Sequence, residues 1–394
     1  GVDLVNIAVF TDSYRPWTSG VVRSIDTFAE EISARGHYVY IFAPRYGSAQ
    51  REEHGKVFRF YSLPSTNPGF NIAIPFSIRL KTTLRRLRID LVHVHSPFLL
   101  GRLGLKCARE IGVPVVFTYH TMYDHYVHYV PLAQNLTKKI TRHLACSFCN
   151  RCNLILVPSN VIGDYIRDLG VKVPIRKLPT GIKLDDFRHG DPGWLGERYG
   201  IGADEKVLLF VGRLGLEKNV EFLLKAFDKL LRVYRQPVRL VLVGGGPQTQ
   251  QLKEMAAEKG ISDRVIFTGP LSMDDVAHCY AGSRLFVFAS MTETQGLVIG
   301  EAKAAGLPTV AIDAFGVSEM IEDGQDGFLT PPDEDVFVSR LLQLLTNEDL
   351  YGRFSRKALM NAESISSGAM AAQLINVYQE LLTGRIQQKM VRGG

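Results

Sequence analysis

Short apolar segments alternate with amphipathic helical patterns along the chain, and this alternation occurs once in each half. The apolar segments are rich in Val, Ile, Leu and Phe, and turn residues bound them, which is typical of buried strands. In the first half they are Leu4–Phe10, Tyr38–Phe42, Leu91–Val94, Val115–Tyr119 and Leu154–Val157. In the second half they are Val207–Val211, Leu240–Val243, Val265–Phe267, Leu285–Phe288 and Thr309–Ile312. Strands that are apolar on both faces and alternate with helices predict the α/β class, with two doubly wound, Rossmann-like domains.

A turn-like segment, Leu178-Pro179-Thr180-Gly181, separates the two halves. We therefore expect an N-terminal domain over residues 1–179 and a second domain over residues 180–367, with a helix over 368–394 completing the first. The length of 394 residues agrees with two domains better than with one core. Because open α/β sheets bind ligands at the carboxyl ends of their strands, we expect a ligand in a cleft between the two domains.

Positive charge is concentrated in the first half. Residues 1–180 contain 23 Lys and Arg against 12 Asp and Glu, a balance of +11 within a chain total of +6. This balance predicts an anionic partner, either a membrane surface or a nucleic acid. Two basic amphipathic segments, Ser77–Arg88 and Gln134–Arg151, are either bilayer-binding faces or the solvated faces of ordinary helices. No nucleic-acid recognition motif accompanies the charge, so we expect a membrane surface and no nucleic acid.

The remaining composition favours a cytoplasmic location. No apolar run approaches the roughly 18 residues that a spanning helix needs, and the first residues do not resemble a signal peptide. Five cysteines, an odd number, favour reduced thiols. Cys146, Cys149 and Cys152 have a spacing that invites an iron–sulfur interpretation, but no fourth ligand is nearby, so apolar packing is favoured.

An acidic motif follows a predicted strand of the second half. Glu293 and Glu301 bracket a segment in which Gln295, Gly296 and Leu297 lie at the start of a predicted helix. Free amides at a helix start attract phosphate oxygens, and a glycine there permits close approach of the backbone. The two carboxylates could accept hydrogen bonds from sugar and ribose hydroxyls on either side of a diphosphate. The alternative is a solvated acidic pair near a helix start, which the helix dipole also favours.

A basic motif follows another strand of the same half. Arg213 and Lys218 lie in the segment Val211–Lys218, between a predicted strand and a predicted helix. Two cations beside a diphosphate would neutralise the charge that develops as it leaves. The alternative is a pair of ordinary surface cations. The Gly244-Gly-Gly-Pro247 segment lacks the spacing of a dinucleotide or Walker loop, so we interpret it as a tight turn.

Taken together, these motifs resemble the retaining glycosyltransferases of family 4, which have the two-domain GT-B fold. The resemblance rests on Gly212-Arg213 with Lys218, on Glu293 and Glu301, on the segment Leu178–Phe187, and on Ser19-Gly20-Val21-Val22. It implies a nucleoside diphosphate sugar as donor and no required metal or other cofactor. The residues that it places at the donor are Gly20, Arg213, Lys218, Leu271, Glu293, Gln295, Gly296, Leu297, Val298 and Glu301.

Within this family, the segment Phe117–Tyr129 looks like the corresponding loop of bacterial diacylglycerol glucosyltransferases. The resemblance implies UDP-glucose as donor and a membrane lipid as acceptor. It places His120 among the catalytic residues with Arg213, Lys218 and Glu293. It also places Tyr123, Asp124 and Tyr126 at the acceptor. The alternative is an aromatic-rich helix cap that packs into the core, and a metal site is disfavoured because other ligands are not nearby.

Three other functions stay open at this point. One is a family-4 transferase with a soluble sugar or small alcohol as acceptor, and another is a nucleotide-sugar epimerase of GT-B fold. The third is a non-enzymatic membrane or nucleic-acid scaffold. No carboxylate is suited to act as a nucleophile beneath the anomeric carbon, as retaining glycosidases require. We therefore expect front-face substitution, in which the leaving diphosphate helps to deprotonate the acceptor.

Overall fold

The computed structural model describes residues 4–47, 56–123, 134–384 and residue 386. Within it the chain forms two compact units. The N-terminal domain comprises Gly1–Gly181 together with Ser367–Gly394, and the C-terminal domain comprises Ile182–Ser366. The chain therefore leaves the first unit once and returns to it with its last helix.

The N-terminal domain is built on a seven-stranded sheet whose paired strands are all parallel. Its strands are β1 (Asn6–Phe10), β2 (Tyr38–Pro44), β3 (Val57–Phe60), β6 (Leu91–Val94), β7 (Val115–Thr118), β8 (Leu154–Val157) and β9 (Ile175–Lys177). The spatial order is β3-β2-β1-β6-β7-β8-β9. A separate antiparallel ribbon consists of β4 (Ser62–Pro64) and β5 (Asn71–Ala73).

The C-terminal domain contains a six-stranded parallel sheet in the order β12-β11-β10-β13-β14-β15. Its strands are β10 (Lys206–Val211), β11 (Val238–Val243), β12 (Val265–Gly269), β13 (Leu285–Phe288), β14 (Thr309–Ile312) and β15 (Gly327–Thr330). All four residues of β13 and of β14 are buried. This is the burial that a doubly wound sheet requires of its central strands.

Helices cover both sheets. Those of the N-terminal domain are α1 (Gly20–Ala34), α2 (Leu80–Arg86), α3 (Leu99–Ile111), α4 (Gln134–Cys149) and α5 (Asn160–Asp168). Those of the C-terminal domain are α6 (Asp185–Arg188), α7 (Trp194–Tyr199), α8 (Val220–Val233), α9 (Thr249–Glu258), α10 (Met273–Ala281), α11 (Leu297–Ala304), α12 (Val317–Met320), α13 (Glu334–Thr346) and α14 (Glu348–Glu363). The last helix, α15 (Ser367–Leu382), packs against α1 in the N-terminal domain.

The predicted fold class is confirmed. Every apolar segment that the sequence marked as a strand is a strand, with ends that differ by up to two residues. Strands β3, β9 and β15 lie at sheet edges, and β4 and β5 have only three residues each. None of these five strands is a continuous apolar run, so the sequence pattern does not predict them.

Helix α2 lies in the basic amphipathic segment Ser77–Arg88, for which the sequence left open either a bilayer-binding face or the solvated face of an ordinary helix. The helix has only seven residues, and its Leu80 and Leu84 are buried within the domain. Its apolar side therefore packs into the core. Ile78, which precedes the helix, is 86% exposed. No helix in the described part of the chain combines the length and apolarity needed to cross a bilayer.

Candidate active site

The basic motif lies in the loop after β10. This loop runs through Gly212 and Arg213 into a 3-10 turn, Leu216–Lys218, and α8 begins at Val220. Asn219 joins the turn to the helix in the left-handed region (φ 53°), and its side-chain amide donates to the Ala289 carbonyl (3.1 Å). Asparagine is tolerated in this conformation better than most residues. The Asn219 contact ties the loop to the end of the neighbouring strand β13.

The glycine segment after β11, Gly244–Gly246, allows two neighbouring loops to pack closely. A Cβ atom on Gly244 would lie 1.9 Å from the Gly212 carbonyl oxygen, and the φ of Gly244 is 130°. A Cβ atom on Gly246 would lie 2.5 Å from the Leu214 carbonyl oxygen. Leu214 also donates its amide to the Gly245 carbonyl (3.0 Å). The segment therefore allows the Arg213 loop to lie directly against the loop after β11.

Lys218 and Glu293 form an ion pair between the basic and acidic motifs. Both side chains are about one-fifth exposed, at 21% and 19%. The Ser290 hydroxyl, which is fully buried, lies 3.0 Å from the same Glu293 oxygen and 3.1 Å from the Glu217 carbonyl oxygen. The sequence prediction did not include Ser290, whose only signal is its position just after β13. Arg213 is exposed on the same loop.

The acidic motif places backbone amides at the start of α11. Gly296 is the residue before the helix and has a φ of 85°, in the left-handed region that favours glycine. The amides of Leu297 and Val298 belong to the first turn, where N–H groups have no carbonyl partner one turn back. Gln295 is buried, and the Glu293 carbonyl accepts from the Gly316 amide (2.9 Å). These contacts hold the approach to the helix in one conformation.

Glu301 lies inside α11 and is 2% exposed. Its carboxylate accepts from the Tyr280 hydroxyl, which lies 3.0 Å from Oε2, and that hydroxyl is also 3.2 Å from the Val298 carbonyl oxygen. Tyr280 is a further residue that the sequence prediction missed, since it is in α10 and nothing in its local sequence relates it to Glu301. A buried carboxylate needs such partners because desolvation of the charge is costly.

The predicted donor-site residues of the C-terminal domain follow strands of one sheet. Arg213 comes after β10, half-buried Leu271 after β12, and Glu293 after β13. Because all pairs in this sheet are parallel, these loops share the carboxyl edge. Direct contact joins Lys218 to Glu293, and the chain itself joins Glu293 to the start of α11.

In the N-terminal domain, Gly20 is the first residue of α1. Ser19 precedes it as N-cap and accepts from the Val22 amide (3.3 Å). The preceding loop is held by Tyr14, whose hydroxyl donates to Asp26 (2.7 Å) and whose ring lies beneath the Arg59 guanidinium. Arg59 also donates to the Arg15 carbonyl (2.8 Å). The Gly20 amide is thus presented at the start of a 15-residue helix.

His120 follows β7 and lies in a stack of three imidazoles. Its Nε2 is 2.8 Å from Nδ1 of His95, and the His93 ring stacks on His95 with centroids 4.2 Å apart. Burial lowers the pKa of His120 to about 4 and that of His93 to about 3, and it lowers the pKa of His95 as well. All three rings are therefore neutral at pH 7. The sequence prediction missed His93 and His95.

Tyr123 is the described member of the predicted acceptor residues. Its ring contacts Phe98 and Tyr119 edge-on, with centroids 5.5 Å and 5.3 Å away, and burial raises the pKa of its hydroxyl. Asp124 and Tyr126 lie outside the described residues.

The cysteine segment ends α4. Cys149 and Cys152 are buried, and burial raises the pKa of the Cys152 thiol to about 12. A thiol that stays protonated is a poor metal ligand and a poor nucleophile. Over residues 4–47, 56–123 and 134–384, no group of three or more His, Cys, Asp or Glu side chains is placed to hold a metal ion.

Comparison with known proteins relates this architecture to a class of enzymes. Residues 18–186 match the family described as Glycosyltransferase Family 4, and residues 196–359 match Glycosyl transferases group 1. The chain is 33% identical over 359 residues to an alpha-monoglucosyldiacylglycerol synthase of Streptococcus pneumoniae, covering 88% of this chain and 80% of that protein. It is 30% identical over 391 residues to the alpha-monoglucosyldiacylglycerol synthase of Acholeplasma laidlawii, covering 96% and 98%.

Among solved structures, HepE from Anabaena in complex with UDP superposes with a TM-score of 0.78 at 20% identity, covering 95% of this chain and all of that one. The two wound domains are those of a glycosyltransferase of GT-B fold. Within that class, the chain belongs to glycosyltransferase family 4.

Proposed function

We propose that this glycosyltransferase is a retaining enzyme that moves glucose from UDP-glucose to 1,2-diacylglycerol at a membrane surface. The observation that carries the proposal is the Lys218–Glu293 ion pair at the approach to α11, where a cation and a carboxylate lie beside the first amides of the helix. The names of the two relatives at 33% and 30% identity support the sugar and the acceptor.

In this proposal the C-terminal domain binds the donor. Arg213, Lys218 and the amides of Gln295, Gly296, Leu297 and Val298 hold the diphosphate. The carboxylates of Glu293 and Glu301 accept hydrogen bonds from hydroxyls of the glucose and the ribose, and the backbone of Leu271 contacts the base. Gly20, at the start of α1, offers a further backbone amide for a phosphate oxygen, as the family resemblance implies. Helix amides and paired cations are groups that bind phosphate well.

The proposed reaction is a front-face substitution. The acceptor hydroxyl oxygen forms a bond to the anomeric carbon while the bond from that carbon to the phosphate oxygen breaks. The departing phosphate oxygen takes the acceptor proton, so UDP leaves and the configuration is retained. The protein contributes electrostatic stabilisation of the leaving group by Arg213, Lys218 and the amides of α11. In this scheme no metal or other cofactor takes part.

The N-terminal domain provides the acceptor side of the proposal. His120, a neutral imidazole, hydrogen-bonds a sugar or acceptor hydroxyl, and Tyr123, Asp124 and Tyr126 cover the acceptor. A neutral imidazole has one donor and one acceptor nitrogen, which suits contact with a hydroxyl.

Two exposed apolar surfaces support a membrane partner. On α4, Leu136, Ile140 and Leu144 are 60%, 50% and 46% exposed at a spacing of four residues. The helix contains Lys138, Lys139 and Arg142 and no acidic residue. Around the β4–β5 ribbon the exposed apolar residues are Tyr61, Leu63, Ile72, Ile74, Phe76 and Ile78. Apolar side chains flanked by cations suit an anionic bilayer, and we place the enzyme at the inner face of the cell membrane.

The test is a product analysis. The protein is incubated with labelled UDP-glucose, UDP-galactose or GDP-mannose, with diacylglycerol vesicles or with soluble sugars and small alcohols. We expect label from UDP-glucose in an α-linked glucosyl diacylglycerol, identified by mass spectrometry and NMR. A Lys218→Ala variant controls for contaminating activity. Transfer to a soluble acceptor would overturn the lipid assignment, and release of free nucleotide or an epimer without acceptor would indicate an epimerase.

A further inference from the structure

We propose that His95 is a positioning residue that fixes the ring orientation and the tautomer of His120. This inference rests on the proposed role of His120 at the substrate. It concerns a residue that lies one strand away, at the end of β6, and is 3% exposed.

The contact between the two rings is short and enclosed. Nδ1 of His95 lies 2.8 Å from Nε2 of His120, and the ring planes are nearly parallel, with centroids 5.1 Å apart. His95 in turn stacks on His93. A contact this short with a buried neighbour restricts the rotamers that the His120 side chain can adopt.

The single proton on each neutral imidazole determines which nitrogen donates in this contact. Both rings are neutral, so each carries one proton, and in a hydrogen bond between them one of the two facing nitrogens donates and the other accepts. If His95 donates from Nδ1, His120 accepts at Nε2 and carries its own proton on Nδ1. If His120 donates from Nε2, its Nδ1 is an acceptor. The tautomer of His95 therefore decides whether Nδ1 of His120 is a donor or an acceptor.

Helix α15 contributes a hydrogen bond to the histidine that stacks on His95. The hydroxyl of Tyr378 in α15 lies 2.5 Å from Nδ1 of His93, and Nε2 of His93 lies 2.6 Å from the Thr118 hydroxyl. Thr118 is the last residue of β7 and precedes His120 by two positions. A continuous line of buried polar groups thus runs from α15 across β6 to β7, and both ring nitrogens of His93 have a hydroxyl partner.

The first experiment is a double-mutant cycle. We expect His95→Leu to lower kcat by about tenfold or more with the KM for UDP-glucose within about twofold, because a misplaced His120 ring loses a hydrogen bond that stabilises the transition state. His95→Asn places an amide near the former Nδ1 and should recover much of the loss, whereas His95→Gln should not. With His120→Ala, His95→Leu should have no additional effect. Additive losses in the double variant would overturn the proposal.

The second experiment does not depend on activity. Nitrogen NMR of 15N-histidine-labelled protein distinguishes the two neutral tautomers, and His120→Asn assigns the His120 signals. We expect one tautomer of His120 in the wild-type protein and in His95→Asn, and an average of two in His95→Leu. An averaged His120 signal in the wild type would overturn the proposal even if the protein transfers glucose. A single tautomer without glucosyl transfer would leave the positioning intact and contradict the proposed function.

Discussion

The ammonium group of Lys218 is ion-paired with the Glu293 carboxylate, although 75 residues separate the two in the chain. The pair joins the loop after β10 to the loop after β13, which belong to neighbouring strands. The buried Ser290 hydroxyl approaches the same carboxylate oxygen. A cation and a carboxylate are thereby held together at the approach to α11.

Replacing Lys218 by Ala should lower kcat by about 10²–10³-fold, because the leaving diphosphate loses a fixed positive charge. Steady-state kinetics with UDP-glucose measures this loss. Lys229→Ala is the matched control, since Lys229 is a cation of the same domain that pairs with Glu334 and Asp335 on the surface. A turnover within twofold of wild type for Lys218→Ala would contradict the assigned role.

Replacing Tyr280 by Phe should destabilise the C-terminal domain and weaken donor binding together. The change leaves the 2% exposed Glu301 carboxylate without the hydroxyl that lies 3.0 Å away. Loss of a partner to a buried polar group costs about 1–3 kcal/mol. Chemical denaturation and UDP titration calorimetry measure the two effects.

Tyr199→Phe is the control for this change, because Tyr199 is a half-buried tyrosine of the same domain that packs against Trp194. If Tyr280→Phe leaves both the denaturation midpoint and the UDP affinity unchanged, the hydroxyl does not support Glu301.

The sequence predicted the parts of this molecule that depend on local pattern. Buried strands such as β13 appear as continuous apolar runs, and the acidic motif lies at the helix start where its spacing placed it. The partners of the site residues were not predictable in this way. His95 is 25 residues from His120, and Tyr378 is 285 residues from His93. Nothing near such residues in the sequence indicates which side chains they meet.

Helix α2 illustrates a second limit of the sequence. Its pattern of basic and apolar residues is the same whether the apolar side meets a bilayer or the helix's own domain. Leu80 and Leu84 of α2 are buried, so its apolar side contacts the rest of its own domain. Leu136 and Ile140 of α4, which has a similar pattern, are exposed. Periodicity identifies an apolar face, and the tertiary structure determines what that face contacts.

The free energy of unfolding should fall as the pH is lowered from about 6.5 to 4. The pKa of His120 is lowered to about 4 and that of His93 to about 3, so the unfolded chain binds protons in this range that the folded protein does not. Each such histidine contributes a slope of about 1.4 kcal/mol per pH unit. Urea denaturation at a series of pH values measures the slope.

The control for the pH dependence is His93→Gln, which removes one of the buried histidines and keeps hydrogen-bonding capacity near Tyr378. Between pH 6.5 and 4, the unfolding free energy of this variant should change less steeply with pH than that of wild type. The expected difference in slope is about 1.4 kcal/mol per pH unit, which corresponds to one proton. An unchanged slope in this variant would mean that His93 is not a source of the acid sensitivity.

Replacing Leu136, Ile140 and Leu144 together by Gln should weaken binding to anionic vesicles by about tenfold or more, since burial of each methylene group contributes about 0.8 kcal/mol. All three side chains are at least 46% exposed, so the melting temperature should stay within a few degrees of wild type. Vesicle sedimentation with and without anionic lipid measures the change. Leu359→Gln with Met360→Gln, an exposed apolar pair on α14 of the other domain, is the control and should bind as wild type does. Equal vesicle binding by the α4 variant and wild type would show that this helix is not the membrane contact.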